Sequence, residues 1–310
     1  MSAVADHESV LLEEAVDAVM VGDGGIYIDG TYGRGGHTSL LLERLSSEGH
    51  VLAIDKDPEA VADARQRWVG EPRFEIEQGS FAEMDAFAER RQWLGKVRGV
   101  LLDLGVSSPQ LDNAERGFSF LKSGRLDMRM NPDEGQSAAQ WLAGAGEREI
   151  ADVLYEYGDE RFSRRIAKAI VRAREQGAIE DTVQLAEIIA DAVPRHEKGK
   201  HPATRSFQAI RIFINKELED LQQGLEAAVE VLEKGGRLAV ISFHSLEDRI
   251  VKRFMRRETQ GDPVPRRLPV TGAVEAGRLR LVGKAVRPGD AEVATNPRAR
   301  SAIMRVAERV

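Results

Sequence analysis

Apolar positions along this chain follow two rhythms. In the first hundred residues, short apolar runs alternate with helical stripes. Ile26-Tyr27-Ile28 ends at Asp29 and a glycine cluster, and His37 to Ser47 follows with leucines at 40, 41, 42 and 45, a spacing that predicts a helix. Val51-Leu52-Ala53-Ile54 then ends at Asp55. Asp57-Pro58 supplies an N-cap and a first-turn proline for a helix carrying Ala60, Val61, Ala64 and Trp68. Phe74 to Glu77 predicts a short third strand before Gly79-Ser80-Phe81. Gly99-Val100-Leu101-Leu102-Asp103-Leu104 is a near-continuous apolar run, as a parallel strand buried on both faces requires. Repeated β-α units of this kind predict a doubly wound α/β fold, Rossmann-like, with an open and mostly parallel sheet.

After Asp103 the alternation stops. The chain is loop-rich to about Asn131 and helical to about Val193, with no convincing strand. Phe207, Ile210, Ile214, Leu218, Leu221, Leu225, Ala228 and Leu232 then recur at steps of three and four, predicting one long helix stopped by Gly235-Gly236. Leu238 to Phe243 reads as a fifth core strand, and Leu279 to Val282 and Ser301 to Val306 as final strands. The economical arrangement is a catalytic domain of residues 1–112 and 205–310. A helical insertion, residues 113–204, lies between its fourth and fifth strands.

Composition narrows the chemistry. The 310 residues contain no cysteine, which excludes disulfides, thiol catalysis and cysteine-based zinc sites; the six histidines lack metal-ligand spacing. No run approaches the ~18 apolar residues of a membrane span, and no Lys or Arg precedes Arg34, so neither a span nor a signal peptide is expected and the cytoplasm is the default. The net charge of −7 is unevenly spread: residues 1–33 hold seven acids and no Lys or Arg, whereas residues 249–310 hold 15 basic residues against 6 acidic. Residues 161–174 carry six basic residues (Arg161, Arg164, Arg165, Lys168, Arg172, Arg174) and no acid. That run and the stretch Arg195 to Arg205 are candidate phosphate contacts.

The unusual residues lie at predicted strand ends, where open α/β sheets bind ligands. The first turn, Asp29-Gly30-Thr31-Tyr32-Gly33-Arg34-Gly35-Gly36-His37, lets backbone pass close to a ligand. A dinucleotide fingerprint fails there, because Thr38 stands where its third glycine belongs. S-adenosylmethionine needs an ammonium, a carboxylate, a ribose diol and an adenine held instead. Asp55 suits the ribose, Phe81 the adenine face, and Asp103 the methionine end or the target base. The segment Asp103 to Asp112 is similar to the loop by which amino-methyltransferases grip an exocyclic amine, with Ser108 before Pro109 as an acceptor for the amine hydrogens. Those enzymes usually carry an aromatic after Pro-Pro where this chain has Ser-Pro-Gln, so base stacking would fall to Phe118, Phe120 or Phe243.

Seven separated blocks carry a resemblance that spans essentially the whole chain. His7 to Ala15, Asp29 to His37, Leu102 to Leu111, Arg116-Gly-Phe-Ser-Phe120, Leu126-Asp-Met-Arg-Met130, His201-Pro-Ala-Thr-Arg205 and Ile241 to Arg249 together closely resemble the bacterial 16S ribosomal RNA cytosine-N4 methyltransferases of the MraW type. The resemblance implies methyl transfer from S-adenosylmethionine to N4 of a cytidine in the decoding region of 16S rRNA, in a small ribosomal subunit or its precursor. It implies cofactor contacts at Gly35, Gly36, His37, Asp55, Phe81, Asp103 and Gln110; His37 and Gln110 come from the resemblance alone. It also makes the helical insertion the substrate-recognition domain. Tyr32 replaces the family's usual phenylalanine and keeps the aromatic. His244 or Ser245, after the fifth strand, is expected to touch the target nucleotide, the competing reading being a helix N-cap by Ser245. His7 and Glu8 read as structural. A homodimer is left open. A methyltransferase for another RNA or a small amine is the alternative function.

Overall fold

The computed structural model describes residues 9–194, 199, 201–261 and 277–310. His7, Glu8, most of the Arg195–Lys200 stretch and part of the basic 249–310 segment lie outside them. The chain divides into two compact units, Met1–Gly105 with Leu218–Val310, and Val106–Glu217.

In the first unit, α1 (Leu12–Val19) precedes β1 (Gly25–Asp29), α2 (Gly36–Arg44), β2 (Gly49–Asp55), α3 (Pro58–Arg67), β3 (Phe74–Gln78), α4 (Met84–Arg90) and β4 (Val97–Asp103). Asp57 caps α3 by accepting the Glu59 N–H at 3.0 Å, and Pro58 opens its first turn, as its sequence requires. The chain then builds the second unit: α5 (Ser108–Asp112), α6 (Ala138–Gly144), α7 (Glu147–Gly158), α8 (Ser163–Gln176), α9 (Thr182–Ala192) and α10 (Thr204–Asn215). It returns through α11 (Glu217–Val231), β5 (Leu232–Ser242), α12 (Ser245–Gln260), β6 (Leu279–Leu281), α13 (Asp290–Thr295) and β7 (Ile303–Arg309).

The seven strands form one sheet in the order β3-β2-β1-β4-β5-β7-β6. The five from β3 to β5 run parallel, and β7 lies antiparallel between β5 and β6. Strand polarity sorts the apolar side chains onto two faces. Ile28, Leu52, Val100, Leu102, Leu238 and Val240 meet α4, α11 and α12. Tyr27, Val51, Leu101, Ala239 and Ile241 meet α1 and α2. Chain order reverses between β1 and β4, so the carboxyl ends of these two strands bracket the crevice of a doubly wound sheet.

The second unit has its own core, with Leu126, Trp141, Ile150, Leu154, Ile166, Ile189, Phe207 and Ile210 at its centre. Two of the sequence blocks turn out to hold each other: the Arg116 guanidinium donates to the carbonyls of Arg129 (3.2 Å) and Met130 (2.8 Å). Asn215 closes the same knot, accepting the Met130 N–H and donating to the Met128 carbonyl, each at 2.7 Å.

Two expectations are corrected. The long helix is two helices, broken at Lys216 in the left-handed region (φ 53°), and the second ends at Val231 rather than at the glycine pair. Gly235 (φ 85°) instead lies within β5, where the register against β4 shifts. Because α10 buries Phe207 and Ile210 in the insertion's core, the compact boundary falls at 106 and 217, not at 113 and 204. Among the described residues, no helix is long and apolar enough to cross a membrane.

Candidate active site

The carboxyl ends of β1, β2, β3, β4 and β5 deliver Asp29, Asp55, Phe81, Asp103 and His244 along one edge of the sheet in the first unit. Backbone bonds set the β1 turn: Gly30 N–H donates to the Leu101 carbonyl (2.9 Å) and Tyr32 N–H to the Ile54 carbonyl (3.1 Å), tying the turn to both neighbours of β1. Gly35 ends it with φ 70°, and a Cβ there would lie 2.6 Å from the Tyr32 hydroxyl oxygen, so glycine is required on both counts. At Gly36 a Cβ would meet Ser9 Oγ at 2.1 Å, so the segment before α1 covers this glycine. Helix α2 begins on Gly35, which has no side chain to cap it, and carries no acid in its first turn, so the positive end of its dipole lies at the turn, with the Thr38 N–H bonded to Asp29.

Carboxylates face these donors. Asp29 is buried, accepting the Thr38 hydroxyl at 2.7 Å and the Thr31 N–H at 3.2 Å. Thr38, the residue that broke the dinucleotide pattern, thus serves to hold this acid. Burial pushes the Asp29 carboxyl above its ordinary pKa and the neighbouring His37 imidazole below its own, each opposed by the other's charge. His37 Nε2 donates to the Val10 carbonyl at 3.3 Å, which leaves Nδ1 toward Asp103 Oδ2 at 3.9 Å. Asp103 is fixed through its backbone, whose N–H donates to Thr31 Oγ1 at 2.7 Å, while its Oδ1 is buried without a hydrogen-bond partner. Burial, then the charges of Asp29 and Glu247, raise its pKa well above the carboxylate range. A cation would relieve that cost and satisfy the orphaned oxygen. The positive end of the α2 dipole beside the unpartnered Asp103 oxygen suits a zwitterion, the character of an amino-acid moiety.

Asp55 accepts the Gly33 N–H (2.7 Å) on one oxygen and the Asp57 N–H (2.8 Å) on the other, with a further lone pair on each. Burial, partly offset by these bonds, raises its pKa to about 6. Phe81 is half-buried, its ring against Gly224 of α11, where a Cβ would come within 2.4 Å of the ring. Beside these, Asp220 of α11 joins Lys56 (2.5 Å) and Ser80.

After β5, His244 rather than Ser245 is the N-cap of α12: its Nδ1 accepts the Glu247 N–H at 3.4 Å. Buried Glu247 in turn accepts the N–H groups of Phe243 (2.8 Å) and His244 (3.2 Å). His244 Nε2 lies 3.1 Å from Glu247 Oε1 without hydrogen-bond alignment and is otherwise unpartnered. Ser245 is exposed.

The remaining expected residues lie in the second unit. Ser108 opens α5, and Gln110 is buried there with its amide oxygen accepting the Ser107 N–H at 3.0 Å. Arg164 and Arg165 are exposed on α8 with Lys168 and Arg172, and Arg161 is exposed in the turn before it. Arg174 leaves that set, because its guanidinium donates to the Leu142 and Ala145 carbonyls at the end of α6, both at 2.6 Å. Of the stacking candidates, Phe118 is buried, and Phe120 packs against His201 and Phe207 at centroid distances of 4.7 and 4.8 Å. Phe243 is half-buried beside Gly105. The sequence reading missed Thr31 and Glu247 as site residues: only the pairing of β1 with β4 brings Thr31 to Asp103, whereas the S-L-E spacing after His244 carries the capping-box signal for Glu247.

An open sheet of this strand order, with an antiparallel strand slotted beside β5, is the Rossmann-like fold of methyltransferases. The chain belongs to the MraW methylase family, whose model matches residues 4–310. It is 59% identical over 305 residues to the ribosomal RNA small subunit methyltransferase H of Thioalkalivibrio sulfidiphilus, covering 98% of this chain and 97% of that one. It is 55% identical over 307 residues to the protein of the same name from Marinomonas, covering 99% and 98%. An rRNA methylase structure from Streptococcus thermophilus superposes with a TM-score of 0.41 at 12% identity, over 96% of this chain and 92% of that one.

Proposed function

We propose that this protein transfers a methyl group from S-adenosylmethionine to the exocyclic N4 amine of a cytidine in the decoding region of 16S rRNA, carried in a small ribosomal subunit or its precursor in the cytoplasm. Membership in a methylase family supports the reaction, and relatives named for small-subunit rRNA support the substrate. The observation that carries the site is Asp103, a carboxylate at the crevice with one oxygen buried and unpartnered in the field of Asp29 and Glu247.

S-adenosylmethionine supplies, when bound, an electrophilic methyl on a cationic sulfur. Asp55 accepts the ribose hydroxyls through its unused lone pairs, and Phe81 covers the adenine. The Gly35-Gly36-His37 turn and the N-terminus of α2 receive the carboxylate, and Asp103 faces the methionine end; for Gln110 the support for a cofactor contact is family membership alone. A cytosine N4 is a weak nucleophile because its lone pair is delocalised into the ring. Acceptors that bind its hydrogens, the role given to Ser108 before Pro109, favour the tetrahedral nitrogen formed on transfer. Solvent or Asp103 takes the proton released from the methylated amine. His244 or Ser245 contacts the nucleotide, and the insertion, through Arg164 and Arg165, grips RNA phosphates.

The test is to incubate the protein with radiolabelled S-adenosylmethionine and unmodified small ribosomal subunits, then identify the labelled nucleoside by mass spectrometry. Label on cytosine N4 is expected. Unlabelled subunits from a protein that binds the cofactor would overturn the substrate assignment and direct the search to other RNAs or small amines.

A further inference from the structure

Among the described residues of the first unit, many arginines are tied to carboxylates: Arg73, Arg91, Arg237, Arg278 and Arg305 each hold at least one. Four cations on α12 depart from this. Arg249, Lys252, Arg253 and Arg256 are exposed and have no ion-pair partner among the described residues. Their spacing of three, one and three puts them on a single stripe, opposite Val251, Phe254 and Met255, which are buried in the core. Like charges at these spacings repel, and the helix offers no acid to relieve them. Glu247 is occupied by two backbone N–H groups. Asp248 binds Arg305 in bidentate fashion at 2.7 and 3.1 Å, and Glu258 is shared by Arg257 and Arg278 at 3.0 and 2.6 Å.

We propose that this stripe is a phosphate-binding surface for the RNA substrate, distinct from the basic face of α8 and carried by the catalytic unit itself. The proposal rests on the RNA reading above. Helix α12 starts where β5 delivers His244 to the crevice edge, so the stripe begins near the chemistry and runs away from it for about 10 Å at 1.5 Å per residue. A chain of net charge −7 with an uncompensated line of cations on one helix is complementary to a polyanion. A lipid surface fits less well, because the apolar face such a helix would bury in a membrane is already in the core.

The experiment uses the full chain with Arg249→Ala, Lys252→Ala, Arg253→Ala and Arg256→Ala combined, alanine being a strong helix former. The probe is a synthetic single-stranded RNA carrying the 16S decoding-region sequence, titrated across a salt series. Cofactor affinity and the thermal midpoint serve as folding controls. The expected result is unchanged cofactor binding, RNA affinity lower by at least tenfold, and a salt slope of log K reduced by about 0.7 per lost phosphate contact. Lysine at all four positions should restore the slope. Arg65→Ala on α3, at the opposite end of the sheet, should leave it unchanged. A quadruple variant that binds cofactor and retains the wild-type affinity and slope overturns the stripe and leaves the RNA reading intact. A wild-type protein that binds cofactor but neither this RNA nor unmodified small ribosomal subunits overturns the RNA reading itself.

Discussion

Asp55 and Asp103 illustrate how one residue type serves two purposes at neighbouring strand ends. Asp55 has both oxygens on backbone N–H groups, yet burial still lifts its pKa to about 6. Between its ordinary value near 4 and about 6, the folded chain therefore binds a proton that the unfolded chain has released. The sign follows: protonation of Asp55 stabilises the fold as pH falls through 6, and above 6 its ionised form costs stability. A ribose diol needs the carboxylate as acceptor, so cofactor affinity should move oppositely and weaken below pH 6. Titration calorimetry from pH 5 to 8 should show that acid limb. Asp55→Asn should abolish it and weaken binding by tenfold or more, consistent with about 1.5–3 kcal/mol for hydrogen bonds to a charged group. Gly224→Val should act on the adenine side: the Phe81 ring must move from the surface it occupies, and cofactor affinity should fall while α11 persists. At this scale the sequence marked strand ends wherever an acid closes an apolar run, as at positions 29, 55 and 103. It was silent on Thr31, whose value depends on a strand over seventy positions away.

Elements were legible where periodicity and punctuation agree. The first four strands, the Asp57-Pro58 helix start and the late strands β6 and β7 all fall where apolar runs meet breakers. The break between α10 and α11 was hidden because the apolar stripe continues across it and a lysine, not a glycine, occupies the left-handed position. That lysine carries a backbone cost, so Lys216→Gly should stabilise the protein by up to about 1 kcal/mol in denaturant unfolding. The start of α12 was placed correctly but with the wrong cap: histidine accepts the N–H that serine was expected to accept. Glu247→Ala would leave the Phe243 and His244 N–H groups without an acceptor and should lower stability by about 1–3 kcal/mol. His244→Ala tests a different point. If turnover and RNA affinity both survive it, the ring is a cap and nothing more.

For the molecule as a whole, the existence of a helical insertion could be read from where β-α alternation stops, but its edges could not. Helix α10 looks like part of the long helix leading to β5, and only its burial of Phe207 and Ile210 assigns it to the second unit. The basic face of α8 gives this unit its expected role. Charge reversal at Arg164 and Arg165 should reduce RNA affinity and flatten its salt dependence without altering cofactor binding, measured by fluorescence anisotropy across ionic strength.

The position of β7 bears on how the molecule is made. This strand is an interior member of the sheet, yet it follows its neighbour β5 by about sixty residues. At roughly 5–20 residues per second, translation leaves β5 with a bare edge for about 3–12 seconds, an interval in which that edge can pair with another nascent chain. A chain truncated before Ile303 should keep this edge open permanently, and limited proteolysis should find it cleaved where the 310-residue chain resists. An enzyme whose proposed substrate is the ribosome's small subunit would thus acquire its finished sheet only after the final strand has cleared the ribosome that made it.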